Sequence, residues 1–167
     1  SNELKLVYLL GSDNLRIKKN NEFIIYQGSH GDRGSEIADV IFPSPTFTEQ
    51  NGLYCNLEGR VQESRKASYP IGKALEDWKI FNLIIKKIHG SKLFENFSEI
   101  RKSTLKGIKN FSAIDLLPKK DLIKIEKISD KLSEEKLIIK DIDYYFSNSI
   151  ARASKTMSDC RNIRLEK

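Results

Sequence analysis

Phe23-Ile-Ile-Tyr-Gln-Gly-Ser-His-Gly-Asp-Arg-Gly34, followed by Ala38-Asp-Val-Ile-Phe-Pro43 and Asn56-Leu-Glu-Gly-Arg-Val-Gln62, is the stretch on which the fold turns. Phe23–Gln27 is a short run of β-branched and aromatic residues that stops at Gly28, and Val40–Phe42 is a second run that stops at Pro43. Continuous apolar strands of this kind, unlike alternating ones, belong to parallel sheets covered on both faces. Ser35–Ala38 between them has room for one helical turn. Upstream, Leu4–Leu10 ends at Gly11 and reads as a further buried strand. Downstream, Leu53–Asn56 and Arg60–Glu63 flank Leu57-Glu58-Gly59, the spacing of a β-hairpin with glycine in its turn.

After the hairpin the period changes. Ala74, Leu75, Trp78, Phe81, Ile85 and Ile88 recur every three or four residues, which predicts a helix over Lys73–His89 with this stripe on the core and Gly90 as its stop. A second helix is expected over Ser98–Lys106, capped by Ser98 and ended by Gly107. Pro118 opens a Lys/Glu-rich stretch with Leu122, Ile125, Ile128 and Leu132 on one helical face. Ile138–Phe146 is apolar but interrupted by Asp141 and Asp143. A last short helix is expected over Ser149–Cys160, capped by Ser147 or Asn148. The fold class is therefore α/β: a small, mostly parallel sheet flanked by helices, with a β-hairpin and a helical C-terminal tail. An α/β domain over 1–110 and a helical or irregular tail over 111–167 is the expected division.

The chain has 167 residues, a formal net charge of +6 and 31% charged residues. The basic excess is interleaved with glutamate through Lys119–Lys140 and carries no aromatic spacing of the kind single-strand binders use, so nucleic acid is not the expected partner. No run reaches the ~20 apolar residues of a membrane span, and direct membrane insertion is not expected. Ser1-Asn2 reads as the remnant of a cleaved tag, which would make the chain an excised piece.

The chemistry-bearing residues exclude more than they suggest. Cys55 and Cys160 are far apart, and iron–sulfur clusters need about four thiolates at close spacing. Adding His30 and His89 makes no zinc, copper or haem set, so no metal ligand is assigned. Gly28, Gly31 and Gly34 are spaced Gly-x-x-Gly-x-x-Gly rather than the Gly-x-Gly-x-x-Gly of a dinucleotide loop, and Asp32 would bring negative charge toward a pyrophosphate. Their plainer role is a tight turn and close packing where the chain leaves the strand. His30 beside Asp32 has the makings of an acid/base pair, but no nucleophile or oxyanion donor accompanies it, and no catalytic residue is assigned. Glu49, Asn56, Glu58, Arg60 and Gln62 form a polar cluster in which Arg60 is placed to bridge carboxylates. Asp39 and Arg60 are read as polar locks and Trp78 as the residue that packs the main helix. The sharper alternative is that His30, Asp32, Asn56, Glu58 and Arg60 touch a polar cofactor.

Tyr26–Gly34, Ala38–Pro43, Glu49, Gly52, Asn56–Gln62 and Glu76-Asp77-Trp78 together resemble the C-terminal part of the large iron–sulfur subunit of NADH:quinone oxidoreductase, respiratory complex I. Ile150–Met157 resembles the end of that subunit. The broader superfamily is that of the molybdopterin oxidoreductases, which share Ala-Asp-Val-x-x-Pro and Asn-x-Glu-x-Arg-x-Gln-like stretches. Ser44-Pro45 and Cys55 depart from the pattern, and 91–140 shows no resemblance. The resemblance implies a non-catalytic structural domain, inactive alone and without a cofactor of its own. Its parent subunit would carry iron–sulfur clusters in an N-terminal portion, within an enzyme that passes electrons from NADH to quinone and translocates protons. It implies as partners that N-terminal portion and other peripheral-arm subunits. It implies a peripheral location on the cytoplasmic side of the bacterial inner membrane or the matrix side of the mitochondrial one. The rival is a fragment of a catalytic molybdopterin oxidoreductase that contributes to its cofactor site. A free-standing basic interaction module is the third reading.

Overall fold

The computed structural model describes residues 4–12, 14–15, 17–108, 111, 113–117 and 143–165. The helical face expected from Leu122 to Leu132, and most of Ile138–Phe146, lie outside these residues. Three strands, β1 (Leu6–Leu10), β2 (Phe23–Gly28) and β3 (Val40–Pro43), form one parallel sheet in the order β1-β2-β3. Two more, β4 (Gly52–Cys55) and β5 (Val61–Ser64), pair antiparallel as the expected hairpin, with Gly59 at φ 80° in its turn. The helices are α1 (Arg33–Glu36), α2 (Asp77–His89), α3 (Phe97–Gly107), α4 (Ser149–Ala153) and α5 (Lys155–Leu165), with a 3-10 turn at Tyr144–Phe146.

β2 is central because its residues are the ones that can be buried on both sides. Ile24, Tyr26 and Gln27 are fully covered, and Leu9 from β1 joins Ile24 and Tyr26 in one cluster against which Val7, Ile37 and Ala38 pack. Alternation puts Tyr8 on the opposite face, where its ring stacks on Phe81 of α2 with centroids 5.4 Å apart. The segment after α1 thus covers one face of the sheet and α2 covers part of the other. Coverage is incomplete: Leu6 and Leu10 of β1 stand exposed, so this strand is half-open rather than buried as expected. It is an edge strand of the sheet.

Three element expectations need correction. The main helix begins at Asp77, not Lys73: Leu75 donates its N–H to the Pro43 carbonyl at 3.2 Å, and Glu76 at φ −50°, ψ 137° is extended, so the preceding residues are held against the end of β3. Its stripe is not uniformly a core face either. Ile80 and Asn82 are its buried residues, whereas Leu75 and Ile88 are exposed. α3 is capped by Asn96 rather than Ser98, the Asn96 side chain accepting from Glu99 N–H at 3.1 Å. The terminal helix is two, α4 and α5, broken where Ser154 turns extended at ψ 121°, and Asn148 is the cap of α4. Gly90 ends α2 at φ 80°, as its position after the last turn predicts.

The hairpin is tied to α3 and to the segment at 114–115. Arg101 of α3 donates to Glu63 of β5 at 2.9 Å. Ile114 bridges Val61 in parallel, and Asp115 N–H donates to the Val61 carbonyl at 2.7 Å.

Candidate functional site

The three parallel strands end together at Leu10, Gly28 and Pro43, and a cleft of about 560 Å³ opens just beyond them. Open α/β sheets bind ligands in this place, beyond the carboxyl ends of their strands. The floor is a polar network. Gln27, at the end of the central strand and fully buried, accepts from the Tyr8 hydroxyl, and its amide N–H donates to Asp77 Oδ1 at 2.6 Å. Gln50 donates to Asp77 Oδ2 at 2.9 Å and accepts from the Asp77 backbone N–H at 3.3 Å. Asp77 thus stands in the first turn of α2, where the helix dipole favours a carboxylate, with both of its oxygens engaged by glutamine amides. Burial pushes the Tyr8 and Tyr54 hydroxyls above their ordinary pKa of 10.0, and the negative charge of Asp77 pushes the same way. Both therefore stay protonated donors at neutral pH. Among the described residues lining the cleft there is no lysine or arginine.

The glycine loop rises along one side of this floor. The ring of Tyr26 explains its composition. A Cβ on Gly28 would sit 2.2 Å from the Tyr26 hydroxyl oxygen, and one on Gly34 would sit 2.8 Å from Tyr26 Cδ2 and 2.9 Å from the Ser12 carbonyl. The Tyr26 hydroxyl donates to the Gly31 carbonyl at 2.9 Å, so the loop is wrapped around a tyrosine. Gly31 alone of the three has a positive φ, 75°. Asp32 follows at φ 77°, ψ −163°, a region that is nearly reserved for glycine.

His30 and Asp32 are not paired. His30 Nδ1 lies 2.9 Å from the Ser29 hydroxyl, and Asp32 accepts from Arg152 Nε at 2.5 Å. Asn56 organises the hairpin turn, its Oδ1 accepting from the N–H of Glu58 and of Arg60 at 3.0 Å each. Arg60 does not bridge carboxylates: its guanidinium donates to the Asp115 carbonyl at 3.4 Å. Glu49 accepts from Thr46 N–H, and Gln62 is exposed. Asp39 binds Lys19 at 2.5 Å and accepts from the Ile24 N–H at 2.8 Å, and these two bonds hold its carboxyl below the ordinary 3.8. Trp78 is half-buried, and its indole N–H donates to the buried Glu76 carboxylate at 2.7 Å. Lys66 and Lys79 approach the same carboxylate at 3.6 and 3.7 Å.

The structure therefore brings Gly28 to the crest of the sheet and leaves the Asn56–Arg60 turn outside the cleft lining. Sequence reasoning missed Gln27, Gln50 and Asp77. A glutamine at the end of an otherwise apolar strand was the available signal, because a buried amide needs partners. Cys55 and Cys160 are free and exposed. Among the described residues no three His, Cys, Asp or Glu side chains gather as metal ligands would. No described helix is long and apolar enough to cross a membrane.

Comparison with known proteins places the chain. The molybdopterin oxidoreductase family model matches residues 1–87, and the model of the C-terminal part of the NADH-ubiquinone oxidoreductase G subunit matches 119–160, so the similarity reaches into 119–140, where none was expected. The NADH-quinone oxidoreductase G subunit of Rickettsia felis is 43% identical over 163 residues, covering 95% of this chain and 24% of that protein. The NADH-ubiquinone oxidoreductase 75 kDa subunit of Reclinomonas americana is 34% identical over 164 residues, covering 96% of this chain and 24% of that protein. The mitochondrial NADH-ubiquinone oxidoreductase 78 kDa subunit of Candida albicans is 34% identical over 172 residues, with 96% and 24% covered. The chain thus spans about a quarter of the length of the relatives it matches. With more than half of its 167 residues inside the first model, the chain belongs to the molybdopterin oxidoreductase family.

Proposed function

We propose that this chain is a framework domain of a subunit of NADH:quinone oxidoreductase, inactive alone, within an enzyme that passes electrons from NADH to quinone and couples this to proton translocation. The observation that carries the reading is similarity, across nearly the whole chain, to one subunit of that enzyme, at 43% identity over 163 residues. Iron–sulfur clusters belong, on this reading, to the remaining three quarters of the subunit. Two exposed cysteines fall short of the four thiolates a cluster needs. The partners are that remainder and neighbouring peripheral-arm subunits, on the cytoplasmic face of the bacterial inner membrane or the matrix face of the mitochondrial one. Gly28, Gly31 and Gly34 shape the loop around Tyr26. Asp39 and Arg60 lock neighbouring backbone, and Trp78 holds Glu76. We also keep 1–110 and 111–167 as the division of the chain, with Ile114 and Asp115 adding a short seam to the first part.

The rival, a catalytic fragment that holds a molybdopterin, is disfavoured by the chemistry of the crest. A pterin with a pyrophosphate tail needs cations or free N–H groups. The cleft offers one carboxylate already bonded to two amides, no described cation, and a Gly28 whose side-chain space is filled by the Tyr26 ring. These residues do not fit that group.

Purification of the native assembly through a tag on this chain tests the proposal. NADH oxidation with quinone reduction, together with iron in the same particle, is expected. Migration of the chain apart from that activity, or stoichiometric molybdenum or tungsten bound to it, would refute it.

A further inference from the structure

We propose that residues 147–153 form a strap across the crest of the parallel sheet, held closed by the Asp32–Arg152 ion pair. Asn148, Ser149 and Ile150 line the same cleft as Gln27, Gly28 and Asp77, in the place where sheets of this kind take their ligands. The chain thus brings three residues of its own C-terminal part to that place. Otherwise the C-terminal residues bond mainly to each other. Asn148 caps α4 by accepting from Ala151 N–H at 2.9 Å, Arg161 binds Asp143 at 2.5 Å, and the Arg161 guanidinium lies 4.9 Å from the Phe146 ring centroid. Among the described residues, Arg152 to Asp32 is the one ion pair that joins 143–165 to the α/β part.

That pair is built for holding. Both side chains are 18% exposed, and the second arm of the guanidinium donates to the Phe146 carbonyl at 3.0 Å, which fixes its direction. The backbone of Asp32 tells the same story. At φ 77°, ψ −163° a glycine would sit without strain, yet an aspartate stands there. The strain is tolerated at a position whose carboxylate reaches Arg152. The strap does not depend on which enzyme the chain serves.

Hydrogen exchange of the full chain, read by mass spectrometry, tests this. In Asp32→Gly and in Arg152→Ala, exchange over 147–153 and over the crest loop 44–50 is expected to accelerate about tenfold, the scale of one charge-assisted hydrogen bond. α2 should keep its protection, and the double variant should show no further acceleration. Asp32→Gly relieves backbone strain, so it remains informative even where Arg152→Ala fails to fold. Unchanged exchange over 147–153 in Asp32→Gly would overturn the strap. So would acceleration there with the crest loop unaffected, or independent effects that multiply in the double variant.

Discussion

Tyr26 shows how much of a local structure one side chain can dictate. Its ring occupies the space that side chains at 28 and 34 would need, and its hydroxyl holds the Gly31 carbonyl. Gly34→Ala should therefore cost about 1–3 kcal/mol, the usual range for forcing atoms into filled space; urea unfolding measures it, and a cost under about 0.5 kcal/mol would mean the ring moves freely aside. Asp39 carries a pH prediction. Its folded carboxyl is held below the ordinary value of 3.8, first by Lys19 and then by the Ile24 N–H. Its contribution is complete above the unfolded pKa and is lost as pH falls through the depressed folded one. Asp39→Asn should flatten the loss of stability on acidification below about pH 4 while changing the slope near neutrality little. Thermal unfolding across that range checks the direction. The glycines were legible in the sequence as a loop that must lie close to something. What it lay close to was not, because a tyrosine two residues before the first glycine looks like any strand residue. His30 and Asp32 are neighbours in sequence, and the acid/base pair that their adjacency offered was set aside for want of a nucleophile or oxyanion donor. The partner of Asp32 lies 120 residues away.

Among the elements, the strands, the hairpin and the glycine stop of α2 were legible, since short apolar runs and turn residues act over a few positions. The start of α2 was not. Ala74 and Leu75 continue its period, yet a hydrogen bond from Leu75 to Pro43 keeps them out of the helix. Periodicity also mistook the helix's contacts. Asn82, a polar residue at a helical position, is buried, and it pins the following loop by accepting from the N–H groups of Leu93 and Phe94 and donating to the Phe94 carbonyl. Asn82→Ala would leave those groups without their partner. A loss of roughly 2–3 kcal/mol is expected, with faster exchange at 91–95. Asn82→Asp keeps the shape and the acceptor but sets a buried carboxylate oxygen against the Phe94 carbonyl, so it too should lose stability. Full stability in Asn82→Asp would mean that the amide donor contributes nothing.

For the whole molecule, a thin core sits beneath a large exposed apolar surface. Among the described residues five hydrophobic side chains are buried, while Leu6, Leu10, Phe23, Leu83 and Leu93 stand open. The resemblance in Tyr26–Gly34 and Asn56–Gln62 made the family legible. The crest was not legible, because its floor is assembled from Gln27, Gln50 and Asp77, on three different segments. There, amides and a carboxylate satisfy one another, and Asn148, Ser149 and Ile150 join the lining. The central claim is that these residues serve as scaffold for electron carriers held elsewhere. Metal analysis of the purified chain, with visible spectra before and after dithionite, tests it most directly. We predict iron, molybdenum and tungsten far below one per chain and no band that bleaches on reduction. A stoichiometric metal or a reducible chromophore bound to these 167 residues would contradict the account.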